Sequence, residues 1–226
     1  MIATIVNTAA VVAGGLIGLL AKKGLPERIS KGIMAAIGLM LICSGVKGYF
    51  DGQSSIIAVL SLALGTGLGE LLRLEERLNH LGERIGARVS RSGGSRIGEG
   101  LVTATLLFCV GAMAVLGSLQ SGLAGDHTTL YTKSLMDFIS AILLASTYGI
   151  GVVLSAIGVL LYQGAITLLA GLLAPVMTEA AIAELSAVGS IVLVGLGLNL
   201  TGVAKLRVMN MVPSIFIAIV LAQIMH

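Results

Sequence analysis

Asp137 is the one charged side chain between Ser134 and Pro175, inside the apolar stretch "KSLMDFISAILLASTYGIGVVLSAIGVLLYQGAITLLAGLLAPVM". A carboxylate at membrane depth is costly, so it faces a cavity or a partner. Here the chemistry would be binding of a cation or a proton. On a helix, Lys133, Asp137, Ser140, Leu144 and Thr147 fall along one face through steps of three and four. Lys133, four residues before Asp137, makes a plain ion pair near the outer interface the alternative reading, and the two readings are compatible. Ser140 and Thr147 would continue a polar track. In other apolar runs, Asn7 sits in the first and the neighbours Tyr162 and Gln163 in a later one. These three could orient a polar solute, although a lone amide in a span is often interhelical glue worth about 1 kcal/mol.

Composition decides what kind of element positions these groups. Hydrophobic residues make up 56% of the 226 residues, charged residues 11%, and the mean hydropathy is +1.03. Soluble domains carry about 25% charged residues. The chain reads as a single integral membrane domain, residues 1–226, all-α, a polytopic bundle of transmembrane helices. Its 31 glycines supply the small surfaces on which helices pack in lipid. Pairs such as Gly14/Gly18 and Gly65/Gly69 would pack helices within a protomer or between protomers, and a homo-oligomer is expected. The net charge of +3 needs no nucleic-acid partner, because the basic residues sit in loops where orientation explains them. Cys43 and Cys109 both lie in apolar segments and are expected to be membrane-buried, without a disulfide. The first apolar run is followed by Lys22-Lys23 and reads as a retained helix rather than a cleaved leader.

Apolar runs fall at about 3–21, 31–49, 55–72, 100–120, 134–148, 150–173, 185–203 and 208–225. Lys22, Lys23, Arg28 and Lys31 place the first loop in the cytoplasm. The arginines of segment 70–99 and the Lys205/Arg207 turn belong there too. The loops around Asp126 and Thr178 would then be outside, so the stretch between them crosses an even number of times. Two spans turning near Tyr148–Gly151, or a re-entrant hairpin, satisfy this; two spans are expected, eight in all, with both termini outside. "AGGLIG" at Ala13–Gly18 matches "LAGLLA" at Leu169–Ala174, and Ala35–Gly45 matches Ser186–Gly197. Spans one to three would thus repeat as spans six to eight with inverted topology, as in many secondary transporters.

Within segment 70–99, Leu71, Leu74, Leu78, Leu81 and Ile85 make an amphipathic helix over Leu71–Val89, followed by the linker "SRSGGSR". It would lie at the cytoplasmic interface against lipid. In the competing functional reading, it is the working surface of a scaffold or sensor that transports nothing. Metal-ligand spacing, a nucleophile elbow and a phosphate-binding loop are missing from the sequence. No enzyme activity, cofactor or metal is expected. "STYGIG" at Ser146–Gly151 has the wrong residue order for a potassium-channel filter and reads as an interhelical turn.

The segments "GGLIGLLAKKGLPERI", "GLGLNLTGVAKLRVMNMVPSIFIA" and above all Gly125-Asp126…Leu130-Tyr131…Lys133-Ser134…Asp137 resemble one family. It is the bacterial inner-membrane proteins grouped as domain of unknown function 554, the YqgA/YdfK-like proteins. The resemblance covers nearly the whole chain. It implies the inner membrane and a multi-span helical fold, and brings no activity or site residues. From the residues, the expected function is a secondary transporter or ion-conducting protein for a small polar solute or ion, with Asp137 at its site.

Overall fold

The computed structural model describes residues 1–22, 27–77, 80, 94–109 and 112–225, and among these no strand occurs. The helices are α1 (Ile2–Lys22), α2 (Glu27–Tyr49), α3 (Ser55–Leu72), α4 (Gly94–Cys109), α5 (Ala112–Leu123), α6 (Thr128–Tyr148), α7 (Ile150–Leu168), α8 (Ala170–Leu173), α9 (Glu179–Leu200), α10 (Val208–Met211) and α11 (Pro213–Met225). Side-chain caps start two of them: Ser54 accepts from the Ile57 N–H and Thr178 from the Ala181 N–H. Gly149, at φ 80°, separates α6 from α7 where an L side chain would be strained. Arg73 ends α3 in the left-handed region, its N–H donating back to the Glu70 and Gly69 carbonyls. Most of the expected amphipathic helix, including Leu78, Leu81 and Ile85, lies outside the described residues.

Six segments among the described residues are long and apolar enough to cross a membrane: Ile2–Ala21, Lys31–Tyr49, Ser55–Leu72, Ile150–Leu168, Glu179–Leu200 and Val208–Met225. The run expected as one span at 100–120 is instead two helices, α4 and α5, whose axes differ by 58°. Together they would make a seventh. At 21 residues α6 is as long as α1, but its polar residues keep it out of the apolar set. Its two charged groups face inward. Lys133, Ser134 and Asp137 are buried while Leu135, Met136, Ile139 and Leu143 are exposed. A helix with charge inside and leucine outside is built for lipid, not water.

The helices form two compact units. In the first, α1 is the hub. A stripe of Thr4, Asn7, Val11, Gly14 and Gly18 along α1 is buried. A Cβ on Gly14 would overlap the Phe138 carbonyl oxygen, and one on Gly18 the Ile142 carbonyl oxygen. Contact positions on α1 and α6 increase together, so these helices run parallel. Gly15 meets Val153 at one end of α7, while Asn7 and Thr4 meet Gln163 and Thr167 at the other, so α7 runs antiparallel to α1. Helices α6 and α7 therefore pass in opposite directions about the Gly149 turn, as two spans or a re-entrant hairpin both require and a single long span does not. Helix α4 runs alongside α7, with Gly151 on Ile97 and Gly158 on Thr105.

The second unit uses the same device. Gly38 and Gly45 of α2 lie against Gly197 and Ser190 of α9, and Gly65 and Gly69 of α3 against Ser214 and Asn210. Both pairs are antiparallel, since one position rises as its partner falls. The Gly14/Gly18 and Gly65/Gly69 pairs thus serve contacts within the chain. Cys43 lies within the apolar segment Lys31–Tyr49 and is exposed on the side of α2 away from its glycine contacts with α9; Cys109 is buried. The unit's turns are tied by side chains. Glu184 Oε1 accepts from the Gln53 and Ser54 N–H groups at 2.8 and 2.7 Å. Asn210 Oδ1 accepts from the Glu75 N–H, Glu75 accepts from the Met209 N–H, and Arg207 pairs with Glu70 at 2.9 Å.

If close approach through glycine holds this unit, Gly69→Ala should cost about 1–3 kcal/mol, the usual penalty for overpacking. Gly67→Ala, with nothing within 4 Å of the added carbon, should be neutral or slightly stabilising. Reversible unfolding in mixed micelles distinguishes the two, and equal effects would contradict the packing account.

Candidate functional site

Three helices of the first unit bring one group of polar side chains together. Asp137 projects from the buried face of α6 four residues after Lys133. The Lys133 ammonium donates to both carboxylate oxygens, at 2.8 Å to Oδ1 and 2.7 Å to Oδ2. From α1, Asn7 Nδ2 donates to Asp137 Oδ2 at 3.0 Å and to Gln163 Oε1 at 3.1 Å. Gln163 projects from α7 because that helix runs back along α1. One turn further toward the start of α1, Thr4 Oγ1 and Thr167 Oγ1 are 3.2 Å apart. The α1–α7 interface therefore carries two polar rungs, Asn7–Gln163 and Thr4–Thr167, and the ion pair leans on the first.

Burial makes this group expensive. Asn7 and Gln163 are 0% exposed, Asp137 5% and Lys133 6%. An ion pair in such surroundings repays its desolvation only if the remaining oxygens and protons are also hydrogen-bonded. Asp137 meets that condition through Lys133 and Asn7. The amides do not: Asn7 Oδ1 and Gln163 Nε2 are buried with no partner among the described residues. One acceptor and one donor are thus held beside a buried charge pair, with bonding capacity to spare.

Of the seven residues singled out in the sequence, four meet here: Asn7, Lys133, Asp137 and Gln163. Ser140 is half-buried one turn along α6 and outside the hydrogen-bonded group. Thr147 is also half-buried, its Oγ1 enclosed without a partner among the described residues, ten residues from Asp137. Tyr162 is half-buried and lies outside the Asn7–Gln163 rung. Sequence reasoning passed over Thr167, although it lies one turn from Gln163 on the same face of α7. It also passed over Glu184, a fully buried acid of the second unit, by reading "TEAAIAEL" as loop. Thr178 as N-cap with Glu179 in the first turn would have signalled an earlier helix start.

The family model "Protein of unknown function (DUF554)" matches residues 2–223. The chain belongs to this family. Among its relatives, "Uncharacterized membrane protein YdfK" of Bacillus subtilis (strain 168) is 34% identical, over 100% of this chain and 97% of its own length. "Uncharacterized protein YqgA" of Escherichia coli (strain K12) is 30% identical, over 98% of this chain and 96% of its own. No solved structure matches the chain significantly. Family membership and the apolar helices together make this a membrane-embedded helical protein.

Asp137→Asn leaves the Lys133 ammonium buried without its counter-charge and should cost about 3–5 kcal/mol. Lys133→Met combined with Asp137→Asn removes both charges, and should recover a large part of that loss. A double-mutant cycle on unfolding free energies reads the coupling. Additive effects would mean that the two side chains do not interact in the folded protein.

Proposed function

We propose that this protein is a secondary transporter or ion-conducting protein, without enzyme activity, that moves a small polar solute or ion across the bacterial inner membrane. One observation carries the reading: an acceptor and a donor on fully buried amides have no partner among the described residues, beside a buried ion pair. A purely structural network gains stability by satisfying every member, and a partly satisfied one is worse than an apolar core. Unspent bonding capacity at such a place is what a binding site keeps in reserve. In this proposal Asp137 binds a cation or proton, with Lys133 as its resting partner. Asn7 and Gln163 orient the solute, and Ser140 and Thr147 continue the polar track along α6.

The inverted repeat belongs to the same proposal. Its three partner pairs, α1 with α7, α2 with α9 and α3 with α10–α11, each pack antiparallel within one unit. Inverted-topology repeats require opposite directions for equivalent helices, and this pairing supports them. The eight-span topology adds α6 and the bent α4–α5 pair to the six apolar helices. Asn7 and Gln163 then hold related positions in the two repeats and meet across their interface.

The test is ligand-dependent stability. Wild type and Asp137→Asn are purified and heated with a panel of inorganic cations, amino acids and small anions. A ligand at a hundredfold its dissociation constant should stabilise wild type by about 2.7 kcal/mol. Asp137→Asn should lose that response. The same response in both proteins would remove Asp137 from the site. No response to any panel member would favour the scaffold reading, in which neutralising the charges of Leu71–Val89 abolishes function.

A further inference from the structure

We propose that the Asp137 site takes a small monovalent inorganic cation, and that the Lys133 ammonium is a tethered stand-in for it which the cation displaces. The inference deepens the transport reading and rests on its placing the site at Asp137. Charge balance selects the class of ion. The group contains one carboxylate, and the other donors on α1 and α7 are neutral amides and hydroxyls. With Lys133 seated, the buried group is neutral overall. A monovalent cation in place of the ammonium keeps it neutral, whereas a divalent ion would leave a net positive charge out of water, at high cost. The ligand atoms also suit a hard cation, which prefers oxygen. Asp137 supplies two oxygens, Gln163 Oε1 faces the same rung, and Asn7 Oδ1 is a buried acceptor without a partner among the described residues.

The displaced ammonium has somewhere to go. Lys133 is near the N-terminal end of α6, and long basic side chains carry their charge toward the aqueous end of a span. Two turns in that direction, just before α6 begins, Asp126 is exposed and accepts the Thr128 N–H at 3.0 Å. That backbone N–H holds its carboxyl below the usual carboxylate range, so it remains an anionic partner. Exchange then amounts to one cation entering as one ammonium swings outward, with no change of charge inside the bundle.

Removing the tethered competitor tests this directly. Lys133→Ala and Lys133→Ala/Asp137→Asn are compared with wild type by size exclusion after heating, in sodium, potassium, magnesium or choline chloride at constant ionic strength. The unfolding midpoint of Lys133→Ala should rise saturably with sodium or potassium over choline. Wild type should respond far more weakly at the same concentrations, and the double variant should not respond. Three outcomes overturn the inference. Lys133→Ala is indifferent to the choice of cation, or magnesium alone stabilises it, or the sodium or potassium response persists without Asp137. A fourth does so as well: Lys133→Ala cannot be recovered folded in any salt while the double variant folds. If wild type still gains stability from a solute through Asp137, only the cation assignment has failed. If it does not, the transport reading has failed with it.

Discussion

A carboxylate taken into a lipid-facing bundle must bring its counter-charge with it, and the first unit is arranged around that requirement. Lys133 and Asp137, one helical turn apart on α6, pair at 2.7–2.8 Å. Pairing alone would leave carboxylate lone pairs unserved, and Asn7 of α1 supplies the further donor. Asn7 arrives at the right depth because α1 lies flat on α6, with Gly14 and Gly18 seated against the carbonyls of Phe138 and Ile142. A larger side chain at either glycine would push α1 away and lengthen the hydrogen bond to Asp137. The cheap, non-polar end of α1 thus sets the geometry of its polar end.

The second unit shows glycine contacts used with a different polar outcome. Its helices approach through Gly38, Gly45, Gly65 and Gly69, yet its buried acid, Glu184, is spent on backbone N–H groups at the start of α3. A carboxylate there meets both unsatisfied donors and the positive end of a helix dipole. That is a structural use of charge. In the first unit Asp137 is held by side chains alone, and two amide atoms beside it have no partner among the described residues. Side chains rearrange at far lower cost than a helix end, which makes the Asp137 group the better suited of the two to exchange a partner.

The sequence disclosed much of this site because polar residues stand out in apolar runs. Asp137, Asn7 and Gln163 were each legible as anomalies, and the Lys133 pairing follows from four-residue spacing. Their meeting was not legible, since it depends on α7 running back along α1, which no local pattern encodes. Tyr162 shows the limit of adjacency: next to Gln163 in sequence, it points elsewhere because neighbours on a helix diverge by about 100°. Glu184 was hidden by its setting, where Pro175 and Thr178 disguise the first two turns of α9 as loop. The glycine pairs were legible as packing sites, but not whether they join helices of one chain or of two. For α6 the usual rule misleads, because its charges are inside and its leucines outside.

In the proposed transporter, this buried polar group is reached from water during a functional cycle rather than sealed in as a structural staple. The most direct measurement is made in intact membrane vesicles of the Cys43→Ser/Cys109→Ser protein carrying Thr167→Cys. A membrane-impermeant, hydrophilic thiol reagent is added, with Leu161→Cys on the exposed apolar face as the comparison. If water reaches the group, the cysteine at 167 is modified from one aqueous side while that at 161 is spared. Modification at 167 only after denaturation would contradict it and leave the Lys133–Asp137 group a structural element.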